Sequence, residues 1–339
     1  MSAHMRAAVV RALGSWKIEE IPHPVPAKDE VVVEVAVAGL CRTDVKLVDV
    51  GHRDLTLPRV PAEEVVGTVC RVGSAPLAGL LGKRVYVYPG TSCGTCERCR
   101  QGAGNLCVSM RIMGFHRDGG FAEFVSTPAS SLIELPPDLA FDDAVFAEPL
   151  SCCLNALELA RVAPGDRVGI WGAGTAGTLL GRAARARGAA VTVIEPDPAR
   201  RERAGAVEHP VADAHFDVAI PAVGDSAAYR AALSSLAPRG RLVAFSGLAA
   251  GASGGLLDVN RLHYLEQTCV GAYGCAYPHS VEAVATIAAG TIAVHDLVSH
   301  RMLLDDLAKA LELVRQRACM KILIYPNTDK KEQYGHKRS

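Results

Sequence analysis

Four cysteines, Cys93, Cys96, Cys99 and Cys107, stand in the spacing C-x2-C-x2-C-x7-C and restrict this chain more than any other feature. Thiolates so close along one loop cannot all pair as unstrained disulfides, because a disulfide tolerates only a narrow range of Cα separations and dihedrals. They can converge as a tetrahedral four-sulfur shell around zinc, an ion with no geometric preference of its own. Gly94, Gly102 and Gly104 let the intervening backbone turn sharply enough to aim the sulfurs inward. Zinc is therefore the reading of this spacing, ahead of an iron–sulfur cluster or a redox disulfide cluster. A closed four-thiolate shell has no open position, so the ion it implies is structural, one per chain.

Composition narrows the remaining choices. A chain of 339 residues is long enough for two domains at about 150 residues each. Hydrophobic residues make up 49% and charged residues 21%, enough apolar surface for a sizeable core. Lys plus Arg and Asp plus Glu balance at 36 each, which leaves no electrostatic footprint for nucleic acid or an anionic membrane. No stretch approaches the ~20 apolar residues of a membrane span, and the N-terminus lacks a charged segment followed by an apolar run. Eleven cysteines without such a leader fit a reducing cytoplasm and metal or thiol chemistry. Residues 1–4, ahead of a second methionine at Met5, read as a start-site or cloning remnant, and the polar tail from Thr328 as frayed.

The chain changes rhythm near Ala147. Before it, Val31–Val37, Val65–Val72 and Val85–Tyr88 are β-branched runs bounded by Gly or Pro, the pattern of short strands joined by loops. After it, a helix over 150–161 leads to a turn at Pro164-Gly165-Asp166. Strands at Arg167–Trp171, Val191–Ile194, Phe216–Ile220, Arg241–Phe245 and Thr268–Ala272 then alternate with helices, the first over 175–187. That is the βαβ rhythm of a doubly wound parallel sheet. The interval 204–217 is short for a full strand–helix step, so the sheet is expected to be trimmed there. A helix over 304–315 precedes a last strand, Lys321–Tyr325.

Gly172-Ala173-Gly174-Thr175-Ala176-Gly177 is G-x-G-x-x-G, directly after one of these strands and opening a helix. Gly172 makes the tight turn, Gly174 lets backbone approach a pyrophosphate, and Gly177 packs helix on strand. The helix N-terminus, through Thr175 and Ala176, presents free N–H groups to the phosphates. Glu195 ends the next strand, where an acid grips the adenosine ribose hydroxyls and repels a 2′-phosphate, so NAD(H) is expected over NADP(H). Arg200, Arg201 and Arg203 are the counter-signal, since arginines just after that acid can hold the phosphate. A solvated helix face is the plainer reading of them.

A β-rich front half with a four-cysteine lobe, followed by this Rossmann unit, resembles the zinc-containing medium-chain alcohol dehydrogenases, nearest the polyol and threonine dehydrogenase branch. The resemblance runs from about Met5 to Pro326. It rests on Gly39-Leu40-Cys41-Arg42-Thr43-Asp44, the cysteine lobe, Gly119-Gly120-Phe121-Ala122-Glu123, Glu148-Pro149-Leu150 and the Gly172 loop. It implies an α/β chain in which residues 1–152, completed by 292–339, form a GroES-like catalytic domain and 153–291 a Rossmann dinucleotide-binding domain. A cleft would hold substrate and nicotinamide. Cys41 would be the first ligand of a catalytic zinc, Glu148 another, and Thr43 the hydroxyl bonded to the substrate alcohol. Arg42 and Lys321 would lie near the cofactor pyrophosphate, with Lys46 where relatives carry an outer proton-relay histidine.

The pattern breaks at one place. The family has Gly-His-Glu just before the segment matching Val65-Val66-Gly67, with the histidine as a zinc ligand; this chain has Ala62-Glu63-Glu64. Cys, His and Glu around a dication sum to neutral, whereas Cys41, Glu63 and Glu148 leave −1, and an over-neutralised zinc is a poorer Lewis acid. Three readings follow: Glu63 ligates zinc in a retuned site; the catalytic metal is absent and Glu63, Glu64 or Glu148 supplies acid or base; or the site no longer catalyses. His52 and His116 are the nearby imidazoles that could substitute. The expectation is an NAD-dependent oxidoreductase acting on a secondary alcohol or polyol-like small molecule and its ketone. It is expected to form a homodimer or homotetramer through the strand around Thr268–Ala272. The alternative from another class is a non-catalytic nucleotide-binding redox sensor or scaffold.

Overall fold

Sixteen strands and ten α-helices, interspersed with 3-10 turns, make up the residues that the computed structural model describes, 4–210, 215–249, 251–252 and 256–327. Residues 1–3 and the tail from Thr328 lie outside them. The chain divides into two units, residues 1–148 with 276–339, and residues 149–275.

In the first unit β1 (His4–Ala12) and β2 (Ser15–Pro22) form an antiparallel hairpin. Next, β3 (Glu30–Leu40) is the valine-rich run, with Val31, Val32, Val33, Val35 and Val37 all sealed from solvent. Burial on both faces is why the run is continuous and does not alternate. Helix α1 (Arg42–Asp49) starts as soon as β3 ends, and β4 (Glu64–Val72) and β5 (Arg84–Val87) return antiparallel.

The cysteine lobe hangs on a short pair, β6 (Gly90–Thr91) with β7 (Arg111–Ile112), and carries one turn of helix, α2 (Glu97–Arg100). Gly94 and Gly102 take left-handed φ of +71° and +80°, as a sharp loop requires. Gly104 does not share that conformation; it opens a 3-10 turn instead. β8 (Phe124–Pro128), β9 (Leu132–Glu134) and α3 (Phe141–Ala144) follow.

The second unit is one continuous stretch. Helix α4 (Ala147–Leu159) leads into β10 (Arg167–Trp171), α5 (Thr175–Ala186), β11 (Ala190–Ile194), α6 (Pro198–Ala204) and β12 (Phe216–Pro221). Then come α7 (Ser226–Ser234), β13 (Leu236–Ala244), α8 (Val259–Tyr264) and β14 (Thr268–Gly271). The described strands order as β11-β10-β12-β13-β14, all parallel. β10 is the switch point, because the chain winds to one side for β11 and to the other for β12. Among the described residues of the short interval after α6, Val207 makes a parallel bridge with Ile194 at the edge of the sheet.

The chain then re-enters the first unit through α9 (Tyr277–Ala288), β15 (Val298–Leu303), α10 (Leu307–Arg315) and β16 (Lys321–Tyr325). The boundary falls at Cys275/Ala276, not at the expected 291/292. α9 belongs to the first unit because it packs on α3 and β9, where Tyr277 donates to the Leu132 carbonyl at 2.8 Å and meets Tyr88 edge-on. β16 lies antiparallel to β3, so the large sheet runs β15-β16-β3-β4-β5-β9, with β8 also on β3.

Candidate functional site

Three local arrangements bear on function, one in the second unit and two in the first. The first is the glycine loop after β10. Gly172 has φ +108°, a value L side chains rarely adopt. A Cβ on Gly177 would sit 1.8 Å from the Gly172 carbonyl oxygen, so only glycine lets α5 come this close to the loop. A Cβ on Gly174 would meet nothing within 4 Å: open space lies in front of the loop. Gly174 is the N-cap of α5 and supplies no side-chain cap, so the positive end of the helix dipole at Thr175 and Ala176 faces the open side of the loop without a capping side chain. Glu195 is 6% exposed and fixed by backbone at both oxygens. Its Oε2 accepts the Ala173 N–H at 2.7 Å and its Oε1 the Asp197 N–H at 3.0 Å. Arg201 donates to the Glu195 and Pro196 carbonyls, and the Arg200 N–H is taken by Asp197 as the cap of α6. The open cradle and the fixed acid fit a dinucleotide.

The cysteine lobe is the second arrangement. Sγ to Sγ distances are 3.5 Å for Cys96–Cys99 and Cys93–Cys107, 3.9 Å for Cys96–Cys107 and 4.0 Å for Cys93–Cys99. Sulfurs 2.3 Å from a tetrahedral zinc stand roughly 3.8 Å apart, so these four already occupy the vertices. Backbone N–H groups of Cys93 and Ser109 donate to Cys107 Sγ, and that of Cys96 to Cys93 Sγ, bonds that favour thiolates. The donor set fits zinc.

The third arrangement surrounds the start of α1, and here the structure redistributes the expected roles. Glu64, expected as an acid or base, opens β4 opposite Gly39 of β3. Lys321, expected near a pyrophosphate, opens β16 on the other side of β3. Their side chains meet across that strand: Lys321 Nζ lies 2.5 and 2.7 Å from the two Glu64 oxygens, with side-chain exposures of 4% and 1%. Gly39 is what admits the carboxylate, since a Cβ there would stand 1.9 Å from Glu64 Oε2. A charge pair this buried, with both carboxylate oxygens on one ammonium, ties β4 to β16 across β3. Burial pulls the Lys321 ammonium down, but the negative charge of Glu64 above all outweighs it and holds the ammonium above its ordinary value.

Cys41 caps α1, with its thiol 3.6 Å from Thr43 Oγ1. Burial and the Glu64 carboxylate push that thiol up to about 12. Asp44 was not singled out by the sequence, yet it is 3% exposed and ties the site together. It accepts the Cys41 N–H at 2.8 Å and the Ala62 N–H at 3.0 Å, and burial raises it to about 7. The only sequence signal for it is its spacing three residues after a helix cap. Ala62 itself holds φ +85°, in the left-handed region that glycine takes freely. Arg42 and Lys46 are exposed on α1, and Glu63 and Glu148 are part-buried.

Among the described residues, the four-cysteine lobe is the only group of three or more His, Cys, Asp or Glu whose ligand atoms lie within 4.8 Å of one another. Cys41, Glu63 and Glu148 do not converge as the resemblance implied, so this donor set does not fit a catalytic zinc. The candidate replacements are placed no better. His52 Nδ1 accepts the Asp54 N–H at 3.2 Å, and His116 Nδ1 accepts the Ile112 N–H at 3.0 Å. No described helix is long and apolar enough to cross a membrane.

Comparison with known proteins bears on these arrangements. The alcohol dehydrogenase GroES-like domain matches residues 27–137. The chain is 28% identical to sorbitol dehydrogenase of Bacillus subtilis (strain 168), over 96% of this chain and 98% of that protein. It is 34% identical to L-galactonate-5-dehydrogenase of Escherichia coli (strain K12) over a shorter stretch, 58% of each. A solved protein of Sinorhizobium meliloti 1021, assigned as a zinc-binding dehydrogenase and bound to NADP, superposes with a TM-score of 0.88 at 28% identity, covering 96% of this chain and all of that one.

Proposed function

We propose that this chain, which belongs to the zinc-containing medium-chain alcohol dehydrogenase family, interconverts a secondary alcohol or polyol-like molecule and its ketone with NAD(H). The observation that carries the reading is the loop Gly172–Gly177, open at Gly174 and paired with a fixed Glu195. The N-terminus of α5, through its dipole and the glycine loop that leads into it, holds the pyrophosphate, and the Glu195 carboxylate takes the ribose hydroxyls. NAD, when bound, supplies the hydride acceptor and its reduced form the donor. A 2′-phosphate would meet the carboxylate of Glu195, and Arg201 is committed to backbone carbonyls, so NAD is favoured although one structural neighbour binds NADP.

In the first unit Thr43 holds the substrate hydroxyl and passes its proton outward, with Lys46 farther along the exposed face of α1. The two relatives' names, sorbitol and L-galactonate, are those of polyol chains bearing secondary hydroxyls. The zinc of the cysteine lobe cross-links that loop and takes no part in the chemistry. β14 is an edge strand with exposed residues, and its pairing with a second copy would give the homo-oligomer.

The test is NADH and NADPH binding followed by fluorescence, then NAD-dependent turnover of a panel of secondary alcohols and polyols. Tight NADH binding with turnover is expected, and Thr43→Val should lower kcat by about a hundredfold while leaving NADH affinity unchanged. NADH binding without turnover of any alcohol or ketone would move the chain to the nucleotide-binding sensors.

A further inference from the structure

We infer that each chain holds a single zinc, in the cysteine lobe, and that the second, catalytic metal of the family is not built in this protein. The inference rests on the family assignment above but not on the redox activity. Position 63, where the family carries a ligating imidazole, is a glutamate. The lobe provides an internal standard for what a metal site looks like in this structure: its four sulfurs all lie within 4.8 Å of one another, four of the six pairs at 3.5 to 4.0 Å, close to the edges of a zinc tetrahedron. Cys41, Glu63 and Glu148 form no such group among the described residues.

Recruited neighbours do not repair the gap. Glu64 is bound through both oxygens to the buried Lys321 ammonium, so ligating a metal would strand that ammonium in the core. His52 and His116 each accept a backbone N–H at Nδ1. A neutral imidazole whose Nδ1 accepts carries its proton on Nε2 and has no second lone pair to give. Charge argues the same way: thiolate and two carboxylates over-neutralise a dication, and an oxygen-rich set suits borderline-soft zinc poorly.

Elemental analysis of full-length protein grown with ample zinc and purified without chelators tests this, run beside Cys41→Ser and Cys96→Ser. About one zinc is expected in the wild type and in Cys41→Ser, and its loss in Cys96→Ser. Any other wild-type count, or a lower count in Cys41→Ser than in the wild type, overturns the inference. Two zinc atoms per chain would leave hydride transfer standing. A failure to bind NADH would sink the proposed function without touching the zinc count.

Discussion

At the scale of single residues, the most consequential contact is Glu64 with Lys321. Breaking a buried pair leaves a lone charge in the core, so Lys321→Met should cost about 3–5 kcal/mol in urea unfolding. Lys321→Met with Glu64→Leu should recover most of that loss. Gly39→Ala should be damaging for the same reason, because its Cβ would sit 1.9 Å from the carboxylate. Asp44 gives a pH signature. Its carboxyl is raised from 3.8 to about 7, so the folded state keeps a proton that the unfolded state has lost. That contribution to stability is fully present below pH 3.8 and disappears as pH rises through about 7. Unfolding midpoints of Asp44→Asn should therefore change less than wild type between those limits. At the nucleotide loop, Glu195→Gln removes the charge that opposes a 2′-phosphate. The KM ratio of NADP to NAD should fall by about tenfold, roughly 1.4 kcal/mol.

At the scale of elements, strands declared themselves wherever a β-branched run met Gly or Pro at both ends. Arg167–Trp171 and Lys321–Tyr325 match the structure residue for residue. The helix expected over 304–315 begins instead with a 3-10 turn, because Asp306 turns back to accept the Leu303 N–H and α10 starts after it. β13 begins at Leu236, five residues earlier than the run at Arg241 suggests. Pro238 and Gly240 hid it, and a register shift against β12 absorbs them.

Asp49 joins α1 to α10 by a two-point pair with Arg315, at 2.7 and 2.9 Å. The guanidinium holds this carboxyl below its ordinary 3.8, so the contribution is present above that value and lost as pH falls through the depressed one. Both partners are part-exposed, and Asp49→Asn should cost about 0.2–1 kcal/mol at pH 7, and less as pH falls below 3.8 toward the depressed value.

At the scale of the whole molecule, the metal-bearing part is a small lobe on a short strand pair, while the large sheet has its own core of valines from β3, β4 and β5. Stripping zinc with a strong chelator should abolish hydrogen-exchange protection over residues 90–112 and leave that of β3 intact. Loss of protection throughout would mean that the lobe is required for the fold of its unit.

The sequence by itself determined the features whose partners are neighbours along the chain. In C-x2-C-x2-C-x7-C and in G-x-G-x-x-G the spacing is already most of the geometry, because a few bonds limit how far the sulfurs or the glycines can separate. The role of Glu64 was decided only by tertiary structure. Its partner Lys321 is 257 residues away, and they meet because β4 and β16 flank β3 with a glycine between them. Asp44 bonding Ala62 and α9 joining the first unit are settled the same way. Long-range register carries no local signature, and the energy that fixes it comes from burial across the sheet.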